Sequence, residues 1–573
     1  MRIIDYYNYI AVAAYILMGV AAIYFYIKGR RKNMPQISDR TAGAVFALIM
    51  VVAAFLRLYR LGDVPLGLQQ DEASIGYDAY TLATFGIDRN GYHFPIYPIT
   101  WGCGGGSPLL IYLNVISISL FGTGILKLRL IPAICGILTV LLFYLCLRLT
   151  FEGSKDENLA SLLGAFFLAV CPWHVILSRW SLDCNIMPFN LVLSMYLFLV
   201  GSKKKSTLFY ALSAASFAVC MYSYGAATIV VPLSLILISF YCVKEKVLTL
   251  RQLIIAIVSF VAVFSPLLLF YAVNYLGLDE IITDHICFNK FTAARTGEAF
   301  LAFDSTFFGK LLGNLKSLVL ALSAGDDSYT IAHYYKGYAS LFEFTFPVTF
   351  IGIAIGVHDL VTGGQEQDKS SLYSISNALF MSVTVSSVIL SLVILPDINR
   401  LVMLFVPMIY FFVKGAVFVF KHLGRIAAVV LCIVLLFGGI SFSRDYFKDF
   451  NRWSISIYMP GYGDAIKRAY EIAGDDRMIY STYDGLSAPF MLALYYNNYD
   501  PYKFYTTVEY KDEKAEFRIA RSFGNFVFEL PDDMASPKHD RDVFVISAAD
   551  RDNFAEIDGY KCEDFGGYFV LYK

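Results

Sequence analysis

The chain has 573 residues, of which 57% are hydrophobic and only 16% charged, and its mean hydropathy is +0.57. A soluble domain carries about 25% charged residues, so the surplus apolar surface must face lipid. The formal net charge of −1 gives no reason to expect nucleic acid as a partner. Ten cysteines are scattered along the chain, and Cys135, Cys146, Cys220, Cys242 and Cys432 lie inside apolar runs. None forms a C-x-x-C or His-paired metal pattern, so they read as small apolar packing residues.

In chain order, the N-terminus lacks the small-residue cleavage site of a signal peptide and opens directly into an apolar stretch, which is expected to be a retained helix. A helix spanning the hydrocarbon core needs roughly 20 mostly apolar residues. About twelve such runs occur, near 6–27, 41–58, 125–149, 158–172, 187–201, 207–223, 226–243, 252–273, 344–358, 372–394, 400–417 and 424–441. Basic residues in short loops orient them. Lys28, Arg30, Arg31 and Lys32 follow the first run, Lys203 to Lys205 the fifth, Lys244, Lys246 and Arg251 the seventh, and Lys421 and Arg425 the eleventh. All four clusters share one face if the N-terminus is outside, which makes that face cytoplasmic. Loops 59–124, 173–186 and 274–343 and the tail are then external.

The expected architecture is a polytopic α-helical membrane protein with about 12 transmembrane helices. An extra N-terminal helix and a cytoplasmic basic loop occupy 1–40, and the main transmembrane domain occupies 41–445. A soluble extracytoplasmic α/β domain occupies 446–573. Within loop 59–124, the apolar segment 108–121 is too short to span and reads as an interfacial or re-entrant helix. The tail combines an amphipathic helix from Asp464 to Ala473 with strand-like runs at Met478–Ser481, Phe526–Glu529, Val543–Ile546 and Tyr568–Tyr572.

The most informative chemistry is Asp71-Glu72, in GLQQDEASIGYDAY, about a dozen residues beyond the second run. A carboxylate pair close to the outer membrane surface can act as general base on a hydroxyl while facing a lipid-borne substrate. The alternative is a solvated pair capping a helix that starts around Ala73, since carboxylates favour helix N-termini.

The order of features around this pair resembles the GT-C glycosyltransferases, particularly glycosyltransferase family 39, the protein O-mannosyltransferase and aminoarabinose transferase group. It runs from an apolar span to RLYRLGDVPLGLQQDEASIGYDAY, a glycine-containing turn and PLLIYLNVISISLFG, then LRLIPAICGILTVLLFYLCLRL. CPWHVILSRWSLDCN and DINRLVMLFVPMIYFF also fit. The resemblance covers roughly residues 41–440 and implies a GT-C type catalytic domain on the extracytoplasmic side of a plasma membrane. It implies a sugar donor carried on a polyprenyl phosphate, an inverting transfer without a covalent sugar intermediate, and a catalytic carboxylate residue in the first loop. On this chain those expectations fall on Asp71 as base and Glu72 as its neighbour, with Arg179 and Asp183 at the edge of the active site. The acceptor is left open between protein, lipid and envelope glycan.

Departure of the donor phosphate develops negative charge that Arg or Lys can stabilise in a water-poor cleft. Arg179, Arg129, Lys310, Lys316, Lys336 and Arg400 are on or near the outer face by this topology, each with interfacial snorkelling as the competing role. Arg400 begins an apolar run, where charge is costly and tends to be functional. The tyrosines, Tyr77 among them, read mostly as interfacial belt residues, with stacking on a sugar as the minor alternative. The glycines of Gly102–Gly106 lack the Lys-Ser/Thr of a P-loop and read as a flexible turn near the cleft. His93, His174, His285 and His333 show no ligand spacing, so no metal or other cofactor is assigned. A divalent ion on Asp71, Glu72 and a phosphate stays open, because hard ions take carboxylates.

Two readings from other classes remain. A secondary transporter would place ionisable residues near the bilayer midplane. A non-catalytic accessory subunit of a cell-envelope complex would keep the topology and have no need of Asp71.

Overall fold

The computed structural model describes residues 3–32, 36–293, 301, 304–323, 331–362, 371–534, 536–553 and 559–573. Each of the twelve apolar runs is a helix: Ile3–Ile27, Asp39–Leu58, Ile125–Thr150, Glu157–Val170, Met187–Lys204, Thr207–Ser223, Ala227–Lys244, Leu250–Tyr275, Phe346–Thr362, Ser371–Val393, Val402–Leu423 and Arg425–Trp453. Among the described residues ten helices are long and apolar enough to cross a membrane. Glu157–Val170 and Thr207–Ser223, with 14 and 17 residues, fall short. At 1.5 Å per residue a 14-residue helix reaches only about 21 Å, and Glu157–Val170 is largely buried against protein rather than lipid.

Val402–Leu423 is the centre of the bundle, with nearly every side chain buried. It crosses Phe346–Thr362 in backbone contact. A Cβ on Gly352 would sit 1.7 Å from the Phe411 carbonyl oxygen, and one on Gly415 would sit 1.9 Å from that of Val348. Small residues allow this approach where lipid supplies no hydrophobic drive between helices. On the same helix, Lys414 donates to Asp359 at 3.1 Å and to Asn377 at 2.7 Å, tying three helices through a buried ion pair.

At the opposite end from the basic loops, Gln70–Phe85 and Pro108–Phe121 pack on the bundle. The latter is the short apolar helix expected from the sequence. The tail forms a seven-stranded mixed sheet in the order Glu509–Tyr510, Ala520–Phe523, Phe526–Val527, Ile479–Ser481, Val543–Ser547, Tyr568–Tyr572, Lys561–Asp564. Ile479–Ser481 runs parallel to both Phe526–Val527 and Val543–Ser547.

The tail is not an appended unit. Arg425–Trp453 runs through the expected boundary at 445, and Leu68, Ala73, Tyr77, Trp101 and Leu128 share one buried cluster with Ile466, Phe490, Leu494 and Phe523. First loop and tail therefore make a single core above the bundle. The glycine run has a packing reason of its own: a Cβ on Gly102 would lie 2.4 Å from the Ala515 carbonyl oxygen. Cys103 N–H donates to the Glu516 carbonyl at 3.0 Å. The tip of the tail hairpin thus lies directly on the glycines.

Candidate active site

The site begins at a helix cap. Gln69 is extended (φ −77°, ψ 151°), and its side chain accepts from the backbone N–H groups of Asp71 and Glu72. Glu72 closes the capping box from the third helical position. Its carboxylate also forms a bidentate pair with Arg129, Nε to Oε1 at 2.9 Å and Nη2 to Oε2 at 2.8 Å. Ser181 N–H donates to the same Oε1 at 2.7 Å. Arg129 is completed by the carbonyls of Pro65 at 2.7 Å and Gly67 at 2.8 Å. Glu72 is thereby neutralised and buried. Asp71, one residue earlier and about 100° around the helix, turns the other way.

Asp71 faces a cavity of about 690 Å³ at this end of the bundle, lined also by Asp183, Arg400, His333, Trp101 and Trp180. Its membrane-side wall includes Ile229, Tyr271 and Leu390. Asp183 is held by Ser107 N–H and Cys184 N–H, both at 2.8 Å. Arg400 is braced by Asp397: its backbone N–H donates to Oδ1 at 2.8 Å, and Nε lies 3.3 Å from Oδ2. Nη1 donates to the Leu395 carbonyl at 2.6 Å. His333 stacks on Trp180 with ring centroids 5.6 Å apart.

Burial raises the Asp71 carboxyl above its ordinary value; hydrogen bonds from Gln69 and Trp101 and the field of His333 oppose the rise, and Glu72 adds to it. Burial also raises Asp183, against the bonds from Ser107 and Cys184, with Asp71 adding to the rise. The two carboxylates therefore feel each other across the cavity, the arrangement that tunes acid–base groups.

The remaining sequence candidates lie away from this cavity. Arg179 is buried and donates to the carbonyls of Leu56, Tyr59 and Val64, each at 2.8 Å, with its guanidinium 4.9 Å from the Phe447 ring centroid. It holds the end of Asp39–Leu58 rather than the cavity wall. The Tyr77 hydroxyl donates to the Tyr499 carbonyl at 3.0 Å and docks the first loop on the tail. Lys336 is exposed, 5.9 Å from the Trp453 ring centroid. Lys310 and Lys316 are exposed on Phe307–Ser323. Arg129 is consumed by Glu72.

Gln69, Trp101, Trp180 and Asp397 enter the site without having been singled out. The D-x-x-R spacing of Asp397 and Arg400 was the one available signal, because it places a carboxylate beside a cation at the start of a helix. Among the described residues no group of three or more His, Cys, Asp and Glu is arranged to hold a metal ion. Both Glu72 oxygens are taken by Arg129, so Glu72 is not available as a ligand.

Residues 106–270 match the family model described as dolichyl-phosphate-mannose-protein mannosyltransferase. No curated protein matches the sequence. The fold is similar to that of ArnT from Cupriavidus metallidurans bound to undecaprenyl phosphate, with 10% identity, a TM-score of 0.53, and coverage of 93% of this chain and 98% of that one. The Archaeoglobus fulgidus oligosaccharyltransferase in the apo form is also similar, with 15% identity and a TM-score of 0.47. That match covers 80% of this chain, which spans 64% of the oligosaccharyltransferase. The apolar helices and the architecture shared with ArnT make this a polytopic helical membrane protein with a C-terminal domain.

Proposed function

We propose that this chain is a membrane glycosyltransferase that moves a sugar from a polyprenyl-phosphate donor to an acceptor hydroxyl on the extracytoplasmic face of a plasma membrane. The observation that carries the reading is the division of labour in the Asp71-Glu72 pair: Glu72 is locked to Arg129, while Asp71 opens on a cavity that also holds a braced arginine. In this reading Asp71 takes the acceptor hydroxyl proton as the oxygen attacks the anomeric carbon. The bond from that carbon to the phosphate oxygen breaks on the opposite side, and the polyprenyl phosphate leaves with the electron pair. The configuration inverts and no sugar–enzyme bond forms. A positioned base of this kind contributes typically about 10²–10⁴-fold.

Arg400 faces the developing phosphate charge, and the Asp397 brace limits the rotamer entropy lost when it does so. Asp183, already holding two backbone N–H groups, orients hydroxyls of sugar or acceptor. Tyr271, Ile229 and Leu390 give the polyprenyl chain an apolar approach from the membrane. A transporter site belongs near the bilayer midplane, whereas this cavity lies at the loop end of the bundle.

The purified protein incubated with polyprenyl-phosphate sugars and a mixed envelope extract should release polyprenyl phosphate and label an acceptor. Absence of release from every donor, with the protein monodisperse and folded, would leave the accessory-subunit reading as the better one.

A further inference from the structure

A second cavity, of about 610 Å³, opens in the tail outside the site described above. Its walls follow from the sheet. Ile479–Ser481, Phe526–Val527 and Val543–Ser547 are adjacent and parallel, so their carboxyl ends emerge on one edge. The residues just beyond those ends, Asp484, Glu529 and Asp550, line the cavity. Open α/β sheets bind ligands at this edge, and the volume is in the range of about 300–1,000 Å³ usual for small-molecule sites.

The antiparallel hairpin contributes the opposite wall. Lys511 follows Glu509–Tyr510, and Arg521 lies opposite Phe528, whose N–H donates to the Arg521 carbonyl at 2.9 Å. Both basic side chains line the cavity. The tip of that hairpin leaves the same edge of the sheet and carries Phe517 into the wall of the Asp71 cavity, where its ring lies 6.1 Å from Trp101. One hairpin thus joins the two cavities, with its base at the second and its tip at the first.

The lining selects a ligand class. Three carboxylates disfavour an anion. The two cations are also partly engaged: Arg521 lies 3.7 Å from Glu529, and Lys511 lies 4.1 Å from the Tyr483 ring centroid. An apolar ligand would strip water from all five charges without returning hydrogen bonds. A neutral polyhydroxyl ligand supplies donors to the carboxylates and acceptors to Lys511 and Arg521, while the half-buried Tyr483 gives a C–H face apolar contact.

We infer that this tail cavity is a binding site for a neutral oligosaccharide, and that it holds the acceptor glycan whose end reaches the Asp71 cavity along the hairpin. The second half of the inference rests on the transfer reading above; the binding site itself does not. The probe is an array of neutral oligosaccharides of three to six hexose or hexosamine units, presented to the full-length protein in nanodiscs. Wild type should retain at least one of them. Asp484→Asn with Glu529→Gln, both at exposed positions that leave the core untouched, should weaken retention about tenfold or more, the loss of charge-assisted hydrogen bonds. Retention is measured with no sugar donor present, so it does not depend on transfer, which separates failure of this site from failure of the transfer reading. Retention of none of the oligosaccharides, or retention unchanged by the double substitution, would overturn the inference.

Discussion

Glu72 and Arg129 offer the cleanest perturbation of the site's framework, because each is fully buried and each spends its charge on the other. Glu72→Gln keeps the shape, the capping-box position and an oxygen for Ser181 N–H. It removes the charge that neutralises Arg129. Breaking a buried pair from one side typically costs about 3–5 kcal/mol, and the isosteric change should fall at the lower end of that range. Arg129→Met should cost at least as much, since the carbonyls of Pro65 and Gly67 lose their donors as well. Groups in one such network couple by about 0.5–3 kcal/mol. The double variant should therefore be clearly less unstable than the sum of the singles. The assay is thermal unfolding of the four proteins in one detergent, followed by near-ultraviolet circular dichroism. Additive losses, or a Glu72→Gln variant as stable as wild type, would refute the claim that this carboxylate is a structural clamp.

Asp88 is buried in the first loop and its carboxyl is pushed up to about 7, chiefly by burial and then by the nearby Asp78 charge. Its folded value lies above the unfolded one of about 3.9, so its contribution to stability is complete below about pH 4 and is lost as pH rises through about 7. Asn90 N–H and Tyr92 N–H both donate to Oδ1, at 2.9 and 3.0 Å, and Asp88→Asn can keep both; it should be more stable than wild type at pH 8 and similar at pH 4. Arg400→Ala should lower turnover of a polyprenyl-phosphate sugar about ten- to hundredfold, the kinetic value of a charge-assisted contact worth about 1.5–3 kcal/mol. Arg400→Lys should rescue only part, since it lacks the planar fork; full activity in the Ala variant would move the phosphate site elsewhere. Because the base must be ionised and Asp71 is raised by burial, the acid limb of kcat/KM should lie above the ordinary carboxylate value of about 3.9. A limb at or below that value would contradict the assignment.

The helices were legible because a lipid-facing helix announces itself by length and apolarity alone, and the four basic clusters agree on one face. The tail elements were legible for a similar reason: Ile479–Ser481, Val543–Ser547, Tyr568–Tyr572 and Tyr462–Ala473 lie where local pattern puts them. What local pattern could not convey was partnership across the chain. Arg179 and Arg129 look alike in sequence, each a cation near the outer end of an apolar run. Only the fold gives one to backbone carbonyls and the other to Glu72. The same holds for Tyr77, whose hydroxyl finds a partner 422 residues away, and for the glycine run, which reads as a loose turn until the tail hairpin is laid on it. The Asp71-Glu72 pair was visible as a unit with two competing roles, catalysis and capping. In the fold Glu72 closes the cap and Asp71 is left facing the cavity.

The central claim is that Asp71 is the base, and it is tested most directly by single-turnover transfer from a polyprenyl-phosphate sugar. Purified, monodisperse Asp71→Asn should bind the donor with wild-type affinity, because the change leaves Arg400 and the apolar approach intact. Its transfer rate should fall by about 10²-fold or more, with unfolding temperature nearly unchanged since Asn keeps the side-chain shape and an oxygen for Gln69 Nε2. A transfer rate within a few-fold of wild type would contradict the account and leave Asp71 a helix-terminal carboxylate.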